Sequence, residues 1–167
     1  MINRRRAGLA GALLCAATAV AVYIITRPDD EARIRRLFAA LEQCLRREPG
    51  NGAASLVLNT QRIAGLFAES CEFRVTSYGL EETLSPTEIS SELARAHAML
   101  DSLSVSFRGL GVAVLSPTEA TATCSIDARA SRDGERIADA AAVTCRLVKR
   151  DGRWHFRAFA EEPVLEK

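Results

Sequence analysis

From Leu103 onward apolar residues recur at every second position, an alternation that confines this half of the chain to half-buried strands joined by tight turns. Leu103, Val105 and Phe107 hold odd positions, whereas Leu110, Val112 and Val114 hold even ones. The inward face therefore changes phase around Gly109, as it does at a β-bulge, which bends its strand. Ala120, Ala122, Cys124, Ile126 and Ala128 continue on even positions. After a turn at Arg132-Asp133-Gly134-Glu135, Ile137, Ala141, Val143, Cys145 and Leu147 answer on odd ones, completing a β-hairpin. A second turn at Asp151-Gly152 leads into Trp154, Phe156, Ala158 and Ala160. A two-residue loop there sets Arg150 against Arg153, Leu147 against Phe156 and Cys145 against Ala158, so the apolar faces agree. His155, Arg157 and Phe159 then point away from the core.

Helical periodicity comes earlier. Pro28-Asp29-Asp30-Glu31 places acids where a helix N-terminus favours them. Ile34, Leu37, Phe38, Leu41, Cys44 and Leu45 follow on one face, until Pro49-Gly50-Asn51-Gly52 stops the run. A shorter helix is expected from about Thr60 to Ala68, burying Ile63, Leu66 and Phe67, and then a strand with Cys71, Phe73 and Val75 inward. Ser85-Pro86-Thr87-Glu88 combines an N-cap serine, a proline at the first helical position and a glutamate that closes a capping box. The helix it starts turns Ile89, Leu93, Ala96, His97 and Leu100 inward. Ser116-Pro117-Thr118-Glu119 repeats the tetrapeptide before an alternating stretch and reads as a turn.

Residues 1–28 stand apart. Ala7 to Thr26 carries no charge, and as a helix it would measure about 30 Å, the thickness of a bilayer's hydrocarbon core. Arg4, Arg5 and Arg6 precede it and Asp29 and Asp30 follow, which places the N-terminus in the cytoplasm and the domain outside an inner membrane, in the periplasm. The rival reading is a secretory signal cut after Ala19-Val20-Ala21, which would release the domain. Residues 29–167 form one α+β domain in either case. The formal net charge of +1 and the interleaving of acids with bases argue against nucleic acid as a partner.

Helices first, one strand, another helix and then a bent meander closing on Asp151-Gly152-Arg153-Trp154-His155-Phe156 resembles the nuclear transport factor 2-like superfamily. That superfamily includes SnoaL-like proteins and ketosteroid isomerases. The resemblance covers about Asp29 to Val164 and implies a cone-shaped, bent antiparallel sheet packed on three helices, in a cystatin-like arrangement. It also implies dimerisation through the sheet, and it embraces enzymes, binding proteins and assembly factors alike. Isomerase-like members place a tyrosine in the first helix, where this chain turns Ile34, Leu37, Phe38 and Leu41 inward.

The chemistry-bearing candidates are few. His97 lies on the apolar stripe of its helix and Asp139 on the inward parity of its strand, so an Asp139 carboxylate orienting a His97 base is the one expected catalytic pair. Cys44, Cys71, Cys124 and Cys145 all take inward positions without zinc-ligand spacing, as core thiols. Cys124 and Cys145 lie directly opposite if their hairpin loop has four residues and diagonal if it has two. No cofactor or metal motif occurs. Ala138, Ala140, Ala142 and Thr144 on the outward parity, with Phe159, suit a flat face for a second copy of the chain. The expected function is a membrane-anchored binding or scaffold module that holds a protein or an apolar ligand. The alternative is an isomerase- or dehydratase-like enzyme using His97 and Asp139. A cone filled by Phe73, Phe107, Trp154 and Phe156 would favour the scaffold, and an open cavity reached by His97 and Asp139 the enzyme.

Overall fold

Two Asp-Gly turns set the register of the sheet. Asp133 and Gly134 have φ of 52° and 83°, and Asp151 and Gly152 have 50° and 74°. Positive φ at both central residues is the type I′ turn, whose twist matches that of paired strands. The computed structural model describes residues 30–50 and 53–162. Its elements are α1 (30–45), α2 (Ala53–Ala64), β1 (Phe67–Val75), a 3₁₀ turn (Thr76–Tyr78), β2 (Leu80–Leu84) and α3 (Pro86–Met99). The meander β3 (Ser102–Val114), β4 (Glu119–Arg132), β5 (Glu135–Arg150) and β6 (Arg153–Glu161) follows. One six-stranded sheet has the order β2-β1-β6-β5-β4-β3. Every neighbouring pair is antiparallel except β1 and β6.

The expected phase change is present. Arg108 pairs with Ser125 and Gly111 with Thr123, so Gly109 and Leu110 together oppose Cys124. Gly109 takes a left-handed φ of 63°, which costs a residue without a Cβ little. A bulge frees ladder groups, and α1 supplies partners beside it: the Phe107 N–H donates to Glu42 Oε1 at 2.7 Å, and Arg35 Nη1 donates to the Leu110 carbonyl at 3.0 Å. The bend in β3 is thus tied to the helix it wraps.

A second bulge was not legible. Leu147 faces Phe156 as expected, but Arg146 then faces Ala158, leaving Arg157 extra on β6. Cys145 consequently pairs with Phe159 instead of Ala158, and Phe159 turns toward the concave side instead of outward. Arg157 Nη1 donates to the Ser70 carbonyl at 2.7 Å, which gives the bulged residue its own anchor.

Two further expectations change. The second helix lies earlier than Thr60 to Ala68: its last turn tightens, with Gly65 N–H on the Arg62 carbonyl and Leu66 N–H on that of Ile63, and Phe67 already belongs to a strand. There Phe67 pairs with Phe156, a long-range contact that overrides local periodicity. The edge strand β2 was unforeseen, because Leu80-Glu81-Glu82-Thr83-Leu84 is exposed almost throughout and shows no alternation. The capping box at Ser85 forms as read, with Glu88 N–H on Ser85 Oγ and Ser85 N–H on Glu88 Oε2.

All six phenylalanines of the chain meet in one connected cluster beneath α1. Phe38 meets Phe107 and Phe156 edge-on at 5.1 and 4.9 Å, Phe67 lies 5.5 Å from Phe156, and Phe73 stacks on Phe159 at 5.6 Å. Such pairs add about 0.5–1.5 kcal/mol each beyond the area they bury. Trp154 is buried elsewhere, where its indole N–H donates to Asp30. The apolar segment Ala7 to Thr26 lies outside the described residues, among which no helix is long and apolar enough to cross a membrane.

Candidate functional site

The concave face of the sheet does not close on the helices. Between them lies a cavity of about 470 Å³. Its floor and walls are apolar: Leu41 and Leu45 of α1, Ile89 and Leu93 of α3, and Phe67, Phe73, Phe107 and Val143 of the sheet. The inward rows of the meander reach it in register, Val105 beside Ala128 beside Asp139, and Phe107 beside Ile126 beside Ala141. Four ionisable side chains line it: Arg74, Glu92 and Asp139 are exposed and Glu161 is half-buried, so its charges sit at the rim.

The rim is tied across. Tyr78, in the turn between β1 and β2, donates its hydroxyl to Asp139 Oδ2 at 2.7 Å, and Ser77 N–H donates to Glu161 Oε2 at 2.8 Å. Asp139 Oδ1 also accepts from Ala140 N–H at 2.8 Å. The hydrogen bond to Asp139, then the negative charges of Asp139 and Glu161, hold the Tyr78 phenol above its usual range, because ionising it would add a third anion there. Arg74 is held by Glu81 at 2.6 Å and Glu92 by Arg95 at 3.0 Å.

The expected pair is not joined. Asp139 is on the cavity side, as its parity implied, but at the open end. His97 is only 2% exposed, is not among the residues that line the cavity, and places Nε2 3.2 Å from the Leu45 carbonyl at the end of α1. Its Nδ1 is buried and meets no hydrogen-bond partner among the described residues. Arg47 reinforces the same junction, donating from Nη1 to the His97 carbonyl while its backbone pairs with Leu103. Local physics thus makes His97 a strut between the ends of α1 and α3. Tyr78 and Glu161 were missed by the sequence reading. The Tyr78-Gly79 turn was the signal for the first, whereas the second faces inward only because of the Arg157 bulge.

The four described cysteines are free and buried. The two-residue loop sets Cys124 diagonal to Cys145, with Val143 and Ala122 as their direct partners. Burial pushes the Cys71 thiol up to about 12. The hydrogen bond with Cys124 and burial push Cys145 up as well. Ala138, Ala140 and Ala142 are exposed, without Phe159 beside them. Among the described residues no group of His, Cys, Asp and Glu is placed to hold a metal ion.

No family model matches the sequence, and no curated protein matches it. Solved structures do. Kfla4162 from Kribbella flavida superposes with a TM-score of 0.69 at 14% identity, over 84% of this chain and 95% of that one. A putative scytalone dehydratase from Novosphingobium aromaticivorans gives 0.66 at 18% identity, over 86% and 99%. A hexachlorocyclohexane dehydrochlorinase, LinA-type3 from Novosphingobium barchaimii, gives 0.63 at 16%, over 83% and 88%. Likeness at such low identity speaks to architecture alone. The domain has the nuclear transport factor 2-like fold, with six strands and three helices among its described residues.

Proposed function

We propose that the domain is a non-catalytic binding module that takes a small apolar molecule into its cone. The supporting observation is the cavity of about 470 Å³ whose ionisable groups stand only at the mouth. Ligand pockets usually measure about 300–1,000 Å³ and are mostly apolar, with a few convergent polar groups. Attachment to a membrane through Ala7 to Thr26, with the domain outside, belongs to the same proposal, as does pairing of two copies through the outward face of β5. A domain so placed would collect its ligand at the bilayer surface.

The test is uptake of the neutral dye N-phenyl-1-naphthylamine by the full-length chain, followed by its fluorescence. Ala141→Trp and Ala128→Trp each put an indole into the cavity, and each is expected to weaken uptake at least tenfold while thermal unfolding stays cooperative. Absence of uptake by the native chain, or uptake unchanged in both variants, would overturn the reading.

A second reading is an eliminating enzyme. Two fold neighbours, a putative scytalone dehydratase and a hexachlorocyclohexane dehydrochlorinase, are named for loss of water and of hydrogen chloride. In this reading Asp139, which accepts a hydrogen bond from Tyr78 on one oxygen, takes a proton from a substrate at the mouth. His97, the partner expected for it, would act from behind the wall. Loss of an elimination activity in both Asp139→Asn and His97→Gln would favour this reading over the first.

A further inference from the structure

Asp139 and Glu161 both line the cavity, and among the described residues neither forms an ion pair with a lysine or arginine. Their hydrogen bonds come from neutral donors: the Tyr78 hydroxyl and Ala140 N–H on Asp139, and Ser77 N–H on Glu161. The other acid at the rim, Glu92, already has Arg95 at 3.0 Å. Among the described residues the one cation that lines the cavity, Arg74, is occupied by Glu81 at 2.6 Å. The mouth therefore carries two carboxylates without an ion-pair partner among the described residues, one hydrogen-bonded to the exposed Tyr78 and the other to the N–H of its neighbour Ser77.

From this charge complementarity we infer that the cone selects amphiphiles with a cationic head, alkylammonium or arylammonium ions, over neutral and anionic molecules of the same apolar bulk. The inference rests on the reading of the cavity as a ligand site. The apolar part of the molecule replaces water against Leu41, Phe73, Phe107 and Val143. The ammonium group stays at the rim, where it neutralises Asp139 and Glu161 without the cost of burying a charge. The Tyr78 ring is 73% exposed and offers a face on which a cation is favoured over a neutral group. An anionic head would stand beside two like charges, with Arg74 of the lining already engaged by Glu81.

Titration calorimetry on the full-length chain, with decylamine, decanol and decanoate below their micellar concentrations at pH 7, tests the selection. Decylamine is expected to bind at least tenfold tighter than decanol, and decanoate weaker than both. The amine-to-alcohol ratio is expected to shrink as salt screens the rim. In the Asp139→Asn, Glu161→Gln double variant that ratio is expected to fall close to one, each ligand serving as the other's control for folding and access. Decanoate binding as well as decylamine, or a ratio that survives the double variant, would overturn the inference while leaving the cavity reading intact. If the native chain does not take up the neutral dye, the cavity reading fails and takes the inference with it.

Discussion

Asp30 is the place where one charge change has the most predictable effect on this fold. Its carboxylate is buried at the start of α1, and a single oxygen accepts from Lys149 Nζ at 2.7 Å and from Trp154 Nε1 at 3.1 Å. Arg33 adds a weaker contact at 3.8 Å. Asp30→Asn keeps an acceptor for the indole but leaves Lys149 without its counter-charge. Losing one charge-assisted hydrogen bond costs about 1.5–3 kcal/mol, and losing an acid from the first helical turn about 0.3–1 kcal/mol. Breaking a fully buried pair would cost about 3–5 kcal/mol. Lys149 keeps 20% of its side chain exposed and can swing to water, so about 2–3 kcal/mol is the expected loss at pH 7.

Urea unfolding of the native chain, Asp30→Asn, Lys149→Met and the double variant measures both the loss and the coupling. Burial alone would raise the Asp30 pKa, but the hydrogen bonds from Lys149 and Trp154, with the charges of Lys149 and Arg33, outweigh it and lower it. A folded pKa below the unfolded value of about 3.9 means that the stabilisation is complete above that value and fades as pH falls through the folded one. The gap between native chain and Asp30→Asn should therefore be constant from about pH 7 to pH 5 and close only as the pH falls below the unfolded value. A loss under about 0.5 kcal/mol, a coupling near zero, or a gap that widens in acid would refute the reasoning.

Three further outcomes follow from the same structure. Gly109→Val should cost about 1–3 kcal/mol in urea unfolding, because its Cβ meets nothing within 4 Å and the left-handed φ of 63° is the whole obstacle; Gly109→Asn should cost least. Phe156→Ala, at the junction of the ring cluster and fully buried, should cost about 3–5 kcal/mol by the same measurement. Cys71, its thiol held at about 12, should resist iodoacetamide at pH 8 in the native chain and react at once in urea, as read by mass spectrometry.

Much of the fold was legible because two local signals agreed with the long-range one. The Asp-Gly turns set strand pairing, and the parity of apolar residues set the faces, so Leu147 meets Phe156 and the bend falls at Gly109. What was not legible had no local signature. β2 is an exposed edge strand held by pairing with β1, and the start of β1 at Phe67 depends on Phe156 more than eighty residues away. The Arg157 bulge arises where a strand must satisfy β5 on one side and β1 on the other, a demand no single segment encodes.

The candidate site shows where parity stops being informative. It assigns a side chain to a face, but the concave face of a cone has both a depth and a mouth. Asp139 and Cys145 share one parity on one strand, yet the acid is exposed at the rim and the thiol wholly buried. His97 was correctly placed on the inner stripe of α3, where inner turned out to mean pressed on the Leu45 carbonyl instead of open to the cavity. Glu161 reached the mouth through a bulge that shifts its parity, and Tyr78 through a turn that folds over Asp139. The apolar wall is thus written in the periodicity of the chain, while the polar mouth is written in its irregularities. Binding specificity in this cone therefore depends on the residues hardest to read from the sequence, because a bulge and a turn aim them.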